Sequence, residues 1–260
     1  MNKLKKIQTF LKKNNINLFI INRSDEFLNE NIAPYAERLK WISNFSGSAG
    51  RAFIFQNKAI LFIDGRYKLQ AREEVNKDFQ IKSLLNYWDF FHKFLRKNKV
   101  IGLDPSLHSI TEISKIIAES KKLKIKINFF KKNPIDFFWN NQPISPKKKI
   151  FIHEEKFCGK SITKKIYNFQ LVLKKELIDY YLITSLDSIA WLLNIRGNDI
   201  LYSPLTFCYL LVPKVGRPIL FTNLTKIRNI RNYLKKNINY YSFKIFEKFI
   251  SKIDKSKIIG

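Results

Sequence analysis

The chain has 260 residues, 45% of them hydrophobic and 15% aromatic, which suits one large or two medium domains. Its formal net charge is +27, from 48 Lys+Arg against 21 Asp+Glu; this raises nucleic acid or an anionic membrane surface as partners. The lysines are spread along the whole chain and no nucleic-acid reader motif accompanies them, so the charge alone establishes neither partner. A surplus of Lys, Asn, Ile and Phe beside only 8 Gly and 8 Pro also matches AT-rich codons, a bland origin for a basic protein. The two cysteines, Cys158 and Cys208, form no Cys-x-x-Cys pair, which excludes a zinc knuckle or a thioredoxin-like motif and suits a reducing compartment. The apolar piece Leu18 to Ile21 is too short for a signal peptide and no run approaches a membrane span, so a soluble cytoplasmic protein is expected.

In chain order, Lys3 to Lys13 places Leu4, Ile7, Phe10 and Leu11 on one helical face, and Leu18 to Ile21 reads as a buried strand. Ala52 to Phe55 and Ala59 to Ile63 flank Gln56-Asn57-Lys58 as a β-hairpin. A helix is predicted from Tyr67 to about Val75, a strand at Phe79 to Ile81, and an aromatic-rich helix from Tyr87 to Arg96. Val100 to Pro105 reads as a strand ending in a turn, and Ser109 to Leu123 as a helix with Ile110, Ile113, Ile116 and Ile117 inward. Lys124 to Phe130 alternates as a strand, with Ile125, Ile127 and Phe129 on one face, and Asn133-Pro134 opens a short helix through Trp139. The polar, proline-bearing stretch 141–149 reads as a linker.

The same order then returns. A helix is predicted from Ser161 to Leu173, a strand at Tyr180 to Ile183, then Asp187 and the run Ser188 to Ile195 with Ile189, Trp191, Leu192 and Leu193. Cys208 to Val212 and Ile219 to Phe221 form a second hairpin, and Arg228 to Lys236 and Ser242 to Ile253 look helical. The repeat predicts a duplicated α/β domain with residues 1–140 and 150–260 as its copies. Lys257 to Gly260 matches Val100 to Gly102, so the second copy is expected to be truncated at its C-terminal end. Phe79→Ala or Trp191→Ala would cost ~3–5 kcal/mol if the ring is buried.

Two segments carry the strongest signal. In Asn44-Phe-Ser-Gly-Ser-Ala-Gly-Arg-Ala-Phe53, small residues allow tight backbone paths. The second hairpin strand then stops at Asp64-Gly-Arg-Tyr67, which puts Arg66 just past a strand end, where a rigid sheet presents functional side chains. The bland alternative makes Asp64 a helix cap and Arg66 a solvated side chain. His92, His108 and His153 are isolated, whereas a metal site needs clustered ligands. Asp25, Asp104, Asp187 and Asp199 read as structural caps, and no histidine is placed to activate Ser46 or Ser48.

These segments resemble the N-terminal region of the Xaa-Pro aminopeptidases of the creatinase/prolidase/aminopeptidase P family. The resemblance runs through Ser24-Asp-Glu-Phe-Leu28, Ile32-Ala-Pro34, Arg38 to Gly50, Asp64-Gly-Arg-Tyr67, Gly102-Leu-Asp-Pro105 and Asp187 to Asp199, over essentially the whole chain. It implies two tandem creatinase N-terminal domains of ribonuclease-H-like α/β topology, each a mixed sheet flanked by helices. In the family, a following catalytic domain holds two metal ions, usually manganese, and releases the first residue of peptides with proline second. The segments that carry those ligands have no counterpart here, so no cofactor and no catalytic residue are expected in this chain. By resemblance, Arg66 points toward the active-site mouth and contacts bound peptide, and Arg196 and Asp199 form a buried ion pair or cap. The expected function is a non-catalytic portion of such an enzyme, inactive alone, with roles in substrate access and dimer contacts. A stand-alone protein-binding or assembly module and a non-specific nucleic-acid binder are the alternatives. A homodimer stays open, and a membrane is not an expected partner.

Overall fold

The structure is a computed structural model and describes residues 2–95 and 99–260. The chain folds as two compact units, Met1–Ile144 and Ser145–Gly260. The first contains α1 (Lys3–Lys13), β1 (Leu18–Asn22), α2 (Arg38–Ser43), β2 (Gly50–Phe55), β3 (Ala59–Ile63) and α3 (Lys68–Glu74). It continues with β4 (Phe79–Ser83), α4 (Tyr87–Phe94), β5 (Val100–Leu103), α5 (Ile110–Lys122), β6 (Lys126–Phe129) and α6 (Pro134–Phe138). The predicted end of the α4 helix, Arg96, lies outside the described residues.

The six strands line up as β4-β3-β2-β1-β5-β6, antiparallel where β1 meets β2 and β2 meets β3, parallel elsewhere. β1 is buried at every position because alternate side chains enter two different cores. Phe19 and Ile21 join Leu4, Ile7 and Leu11 of α1, Leu39 and Ile42 of α2, and Ile135 of α6. Leu18 and Ile20 join Phe53, Phe62, Tyr87, Phe91 and Ile116 on the opposite face. Helix α1 has an Asn2 cap whose side chain accepts from the Leu4 amide at 3.0 Å, and it carries Lys12 and Lys13 in its last turn, as the helix dipole favours.

The second unit contains β7 (Phe151–Ile152), α7 (Glu155–Cys158), α8 (Ile162–Lys175), β8 (Tyr180–Ile183), α9 (Leu186–Leu192) and β9 (Ile195–Arg196). Then come β10 (Cys208–Pro213), β11 (Ile219–Thr222), α10 (Arg231–Asn237), β12 (Asn239–Ser242) and α11 (Phe246–Ile250). Its sheet runs β12-β11-β10-β8, and β7 pairs with β9. The register repeats the first unit: Ile183 faces Leu210 as Ile21 faces Ala52, and Tyr180 bridges Ile259 in parallel as Leu18 pairs Ile101.

Three expectations are corrected. Asn239–Ser242 is a strand, parallel to β11, and the helix predicted over 242–253 shrinks to Phe246–Ile250; four residues are too few to show a period. Ile110 is 87% exposed, because Ser109 caps α5 and Ile110 stands in its outward first turn while Ile116 reaches the core. Of the ion pair or cap expected of Arg196 and Asp199, the pair does not form; each instead holds backbone groups. Arg196 donates to the carbonyls of Ala190 and Ile195, each at 2.8 Å. Asp199 instead meets Lys226, with the Asp side chain 0% and the Lys side chain 1% exposed, and it also accepts from Thr206 Oγ1 at 3.0 Å and the Phe207 amide at 2.7 Å.

Two stability predictions follow from burial. Phe79 is buried and Trp191 is 57% exposed. Phe79→Ala should therefore cost about 3–5 kcal/mol in denaturant unfolding, and Trp191→Ala under about 1 kcal/mol. Lys226→Met strands a buried carboxylate and should cost about 3–5 kcal/mol; a loss below about 1 kcal/mol would show that the pair contributes little.

Candidate functional site

The small-residue segment is shaped by one ring. Helix α2 ends on Asn44 in the left-handed region (φ 67°), which turns Phe45 into the core. A Cβ on Gly50 would stand 2.8 Å from the Phe45 ring and one on Gly47 2.9 Å from Tyr67, so only glycine lets the backbone pass this closely. The Phe45 and Tyr67 rings meet edge to face with centroids 5.8 Å apart. Tyr67 Oη and Ser48 Oγ share a 2.6 Å hydrogen bond, which draws the phenol below its ordinary range. Ser46 donates to Glu74 through its amide (2.8 Å) and its hydroxyl (2.7 Å), and Gln70 Nε2 donates to both Ser46 Oγ and Glu74. The two motifs read from the sequence are therefore stitched together, and Ser46 and Ser48 are consumed as structural partners.

Arg66 sits at the centre of the single turn Gly65–Tyr67 that follows β3. Asp64 caps that turn, accepting from the Arg66 amide at 3.0 Å and from Arg66 Nε at 2.9 Å. These hydrogen bonds hold the Asp64 carboxyl below the usual carboxylate range and raise Arg66 further. The Arg66 side chain is 73% exposed; its guanidinium lies 5.7 Å from the Tyr67 ring centre, and its two terminal nitrogens have no hydrogen-bond partner among the described residues. The bland and the functional readings of this motif thus coexist: Asp64 is a cap, and the same contact orients a fork whose outer edge is free.

A polar cluster that sequence reasoning missed lies at the carboxyl end of β1. Asn22 faces Arg51 across the β1–β2 ladder, and Arg51 pairs with Glu112 of α5. His108, buried, stands 3.3 Å from Glu112 and 2.9 Å from Asn22 Nδ2. Burial works against the Glu112 charge, but His108, Arg51 and Asn22 outweigh it and hold the carboxyl below its ordinary range. A cleft of about 290 Å³ opens here, lined by Asn22, Arg23, Ser48, Arg51, Ser109 and Glu112. His108 and Glu112 are an i,i+4 pair, but Asn22 and Arg51 join them from 61 to 90 positions away from Glu112, so local spacing announces only half of the cluster.

The remaining candidates make local contacts. Asp25 accepts from the Phe27 and Asn29 amides, each at 3.0 Å; Asp104 accepts from Ser106 and Asn133; Asp187 accepts from the Ser188 amide at 2.9 Å. His92 pairs with Glu119 on the surface and His153 stacks on Phe157. Among the described residues no group of three or more His, Cys, Asp or Glu is placed to hold a metal ion. Both cysteines are free, and burial pushes the Cys208 thiol up to about 12, outside nucleophilic use near neutral pH. Among the described residues no helix is long and apolar enough to cross a membrane.

Comparison with known proteins agrees with this architecture. Two models of the Creatinase/Prolidase N-terminal domain match, at residues 3–126 and 141–259. A protein named probable Xaa-Pro aminopeptidase P from Coprinopsis cinerea is 30% identical over 257 residues, 96% of this chain and 41% of that protein. One of the same name from Paracoccidioides brasiliensis is 32% identical over 216 residues, 81% of this chain and 35% of that protein. The crystal structure of the Caenorhabditis elegans X-prolyl aminopeptidase, described as a cytosolic enzyme with a di-nuclear active site, superposes with a TM-score of 0.87 at 27% identity. That match covers 91% of this chain and 40% of the nematode one. The chain thus spans well under half the length of these relatives. With both matched segments folded as mixed sheets flanked by helices, the chain belongs to the creatinase/prolidase family and carries two of its N-terminal domains in tandem.

Proposed function

We propose that this chain acts as the non-catalytic N-terminal portion of a cytoplasmic Xaa-Pro aminopeptidase, guiding peptides with proline second toward a catalytic centre supplied by other residues. The observation that carries the reading is the posture of Arg66. A guanidinium that stays charged at every working pH is anchored through Nε by Asp64, and its outer edge is offered to solvent from the end of a rigid hairpin. Such a fork suits the carboxylate or carbonyl groups of a peptide. The similarity to Xaa-Pro aminopeptidases over most of the chain supports the choice of substrate class. No chemical step is assigned to this chain. A share of the enzyme's dimer contacts belongs to the same reading.

The purified chain supplied with manganese is expected to leave an Xaa-Pro peptide uncleaved; measurable hydrolysis would overturn the non-catalytic assignment. In an enzyme that joins this chain to a catalytic domain of the family, Arg66→Ala should lower kcat/KM for an Xaa-Pro peptide by about 10–100-fold, the worth of one charged hydrogen bond. Arg66→Lys should recover only part of that loss, since an ammonium lacks the fork. An unchanged kcat/KM in the alanine variant would remove Arg66 from substrate contact.

A further inference from the structure

The cleft at the carboxyl end of β1 is walled entirely by residues 22–112 of the first unit. Leu28 forms part of its lining. Buried Asp25 accepts from the Phe27 and Asn29 amides and from Asn29 Nδ2, and its carbonyl accepts from the Leu28 amide at 3.0 Å. This turn holds Leu28 in the left-handed region (φ 55°), where a glycine would sit without steric cost. The leucine side chain is 47% exposed, so burial does not account for its presence there. A strained residue of this kind persists where it presents a side chain. Ala49 and Gly50 add almost no side-chain bulk to the wall, which leaves the cleft its width. The cleft also adjoins Arg66. Ser48 lines it and shares its hydroxyl with Tyr67, and the charge of Glu30, whose carbonyl holds Arg23, reaches Arg66.

The charges on this wall are already matched. Arg23 pairs with Glu37 at 3.0 Å and donates to the carbonyls of Glu30 and Ser48. Arg51 pairs with Glu112 and lays its guanidinium 5.1 Å from the Tyr87 ring centre. Glu112 has His108 at 3.3 Å as a further neighbour. An added carboxylate or ammonium would therefore meet charges that are already spent. Two buried polar atoms of the wall residues have no hydrogen-bond partner among the described residues: the acceptor Asn22 Oδ1 and the donor Arg23 Nε. The Asn22 amide is set in this orientation because its Nδ2 lies 3.3 Å from a Glu112 carboxylate oxygen, which only accepts.

From these observations we infer that this cleft is a specificity subsite for one uncharged side chain of the peptide that Arg66 holds, the carboxamide of a glutamine or asparagine. The inference rests on the proposed role of Arg66. A carboxamide brings N–H donors for Asn22 Oδ1 and a carbonyl acceptor for Arg23 Nε, with no charge to leave unpaired. The half-exposed Leu28 offers its apolar surface to the aliphatic stem. A glutamate or lysine in the same place would set a charge between two closed ion pairs. A leucine would fill the volume and leave both polar atoms unmet.

The test titrates the full 260-residue chain with tetrapeptides that carry proline second and Gln, Glu, Lys or Leu in third or fourth place, followed by heteronuclear NMR that resolves arginine Nε–H signals. A Gln peptide should bind about tenfold tighter than its Glu or Lys counterpart, the scale of one unmet polar group, with the Leu peptide between them. It should also shift the Arg23 Nε–H signal. Leu28→Gly suits the left-handed backbone, so it should fold with unchanged circular dichroism and lose the Gln preference. Ala49→Leu, which fills the cleft, should lose it as well. Arg66→Ala should weaken all the peptides alike. Equal binding of all the peptides, with Arg66→Ala still weakening them, overturns the subsite and spares the role of Arg66. A Gln preference that survives both Leu28→Gly and Ala49→Leu also overturns the subsite, as does the absence of saturable binding. A Gln preference lost in those two variants while Arg66→Ala changes nothing supports the cleft and removes Arg66 from peptide contact.

Discussion

A sheet with apolar side chains on both faces must be covered on both faces, since its strands expose roughly 25 cal/mol of unfavourable apolar surface per Å² wherever they are left bare. The first unit meets this demand around β1: α1, α2, α3 and α6 cover one side, and α4 and α5 the other. The aromatic crowding of the second face, with Phe53 within 4.9 Å of both Phe62 and Tyr87, leaves its hairpin little room to shift. That rigidity is what makes a residue at the end of β3 a dependable place from which to present a charge.

The presentation of Arg66 is a short chain of contacts. Phe45 sits in the space that Gly47 and Gly50 leave, Tyr67 packs on Phe45 and bonds to Ser48, and Asp64 fixes both the turn and the guanidinium. Every contact ahead of the guanidinium is structural, yet together they decide where its free edge points. A motif can therefore be a set of caps and packing partners and still be the means by which one side chain reaches solvent in a defined direction.

The second unit follows the same plan with less cover. Its central strand β8 is partly exposed where β1 is fully buried. Its buried polar chemistry is also distinct: Asp199 is neutralised by Lys226 from a distant loop, with both side chains almost fully enclosed. Two copies of one topology thus differ most where side chains from remote segments converge.

Much of this was legible in the residues. The hairpins, the central strands, the α1 and α8 stripes and the repeated order all follow from local periodicity and turn residues, and the Asp64-Gly-Arg-Tyr67 segment announced itself by its place after a strand. The outward turn of Ile110, the short strand β12 and the partner of Asp199 were not legible, because each depends on what lies opposite in space. The same holds for the Asn22–His108–Glu112–Arg51 cluster, whose members meet only once β1, β2 and α5 have been brought to one end of a sheet. By itself the sequence determined the order of elements, the duplication and the exposed arginine, all properties of neighbouring residues. Only the tertiary structure decided which charges are buried together and which isoleucines reach the core, because those are settled by distance in space and not along the chain.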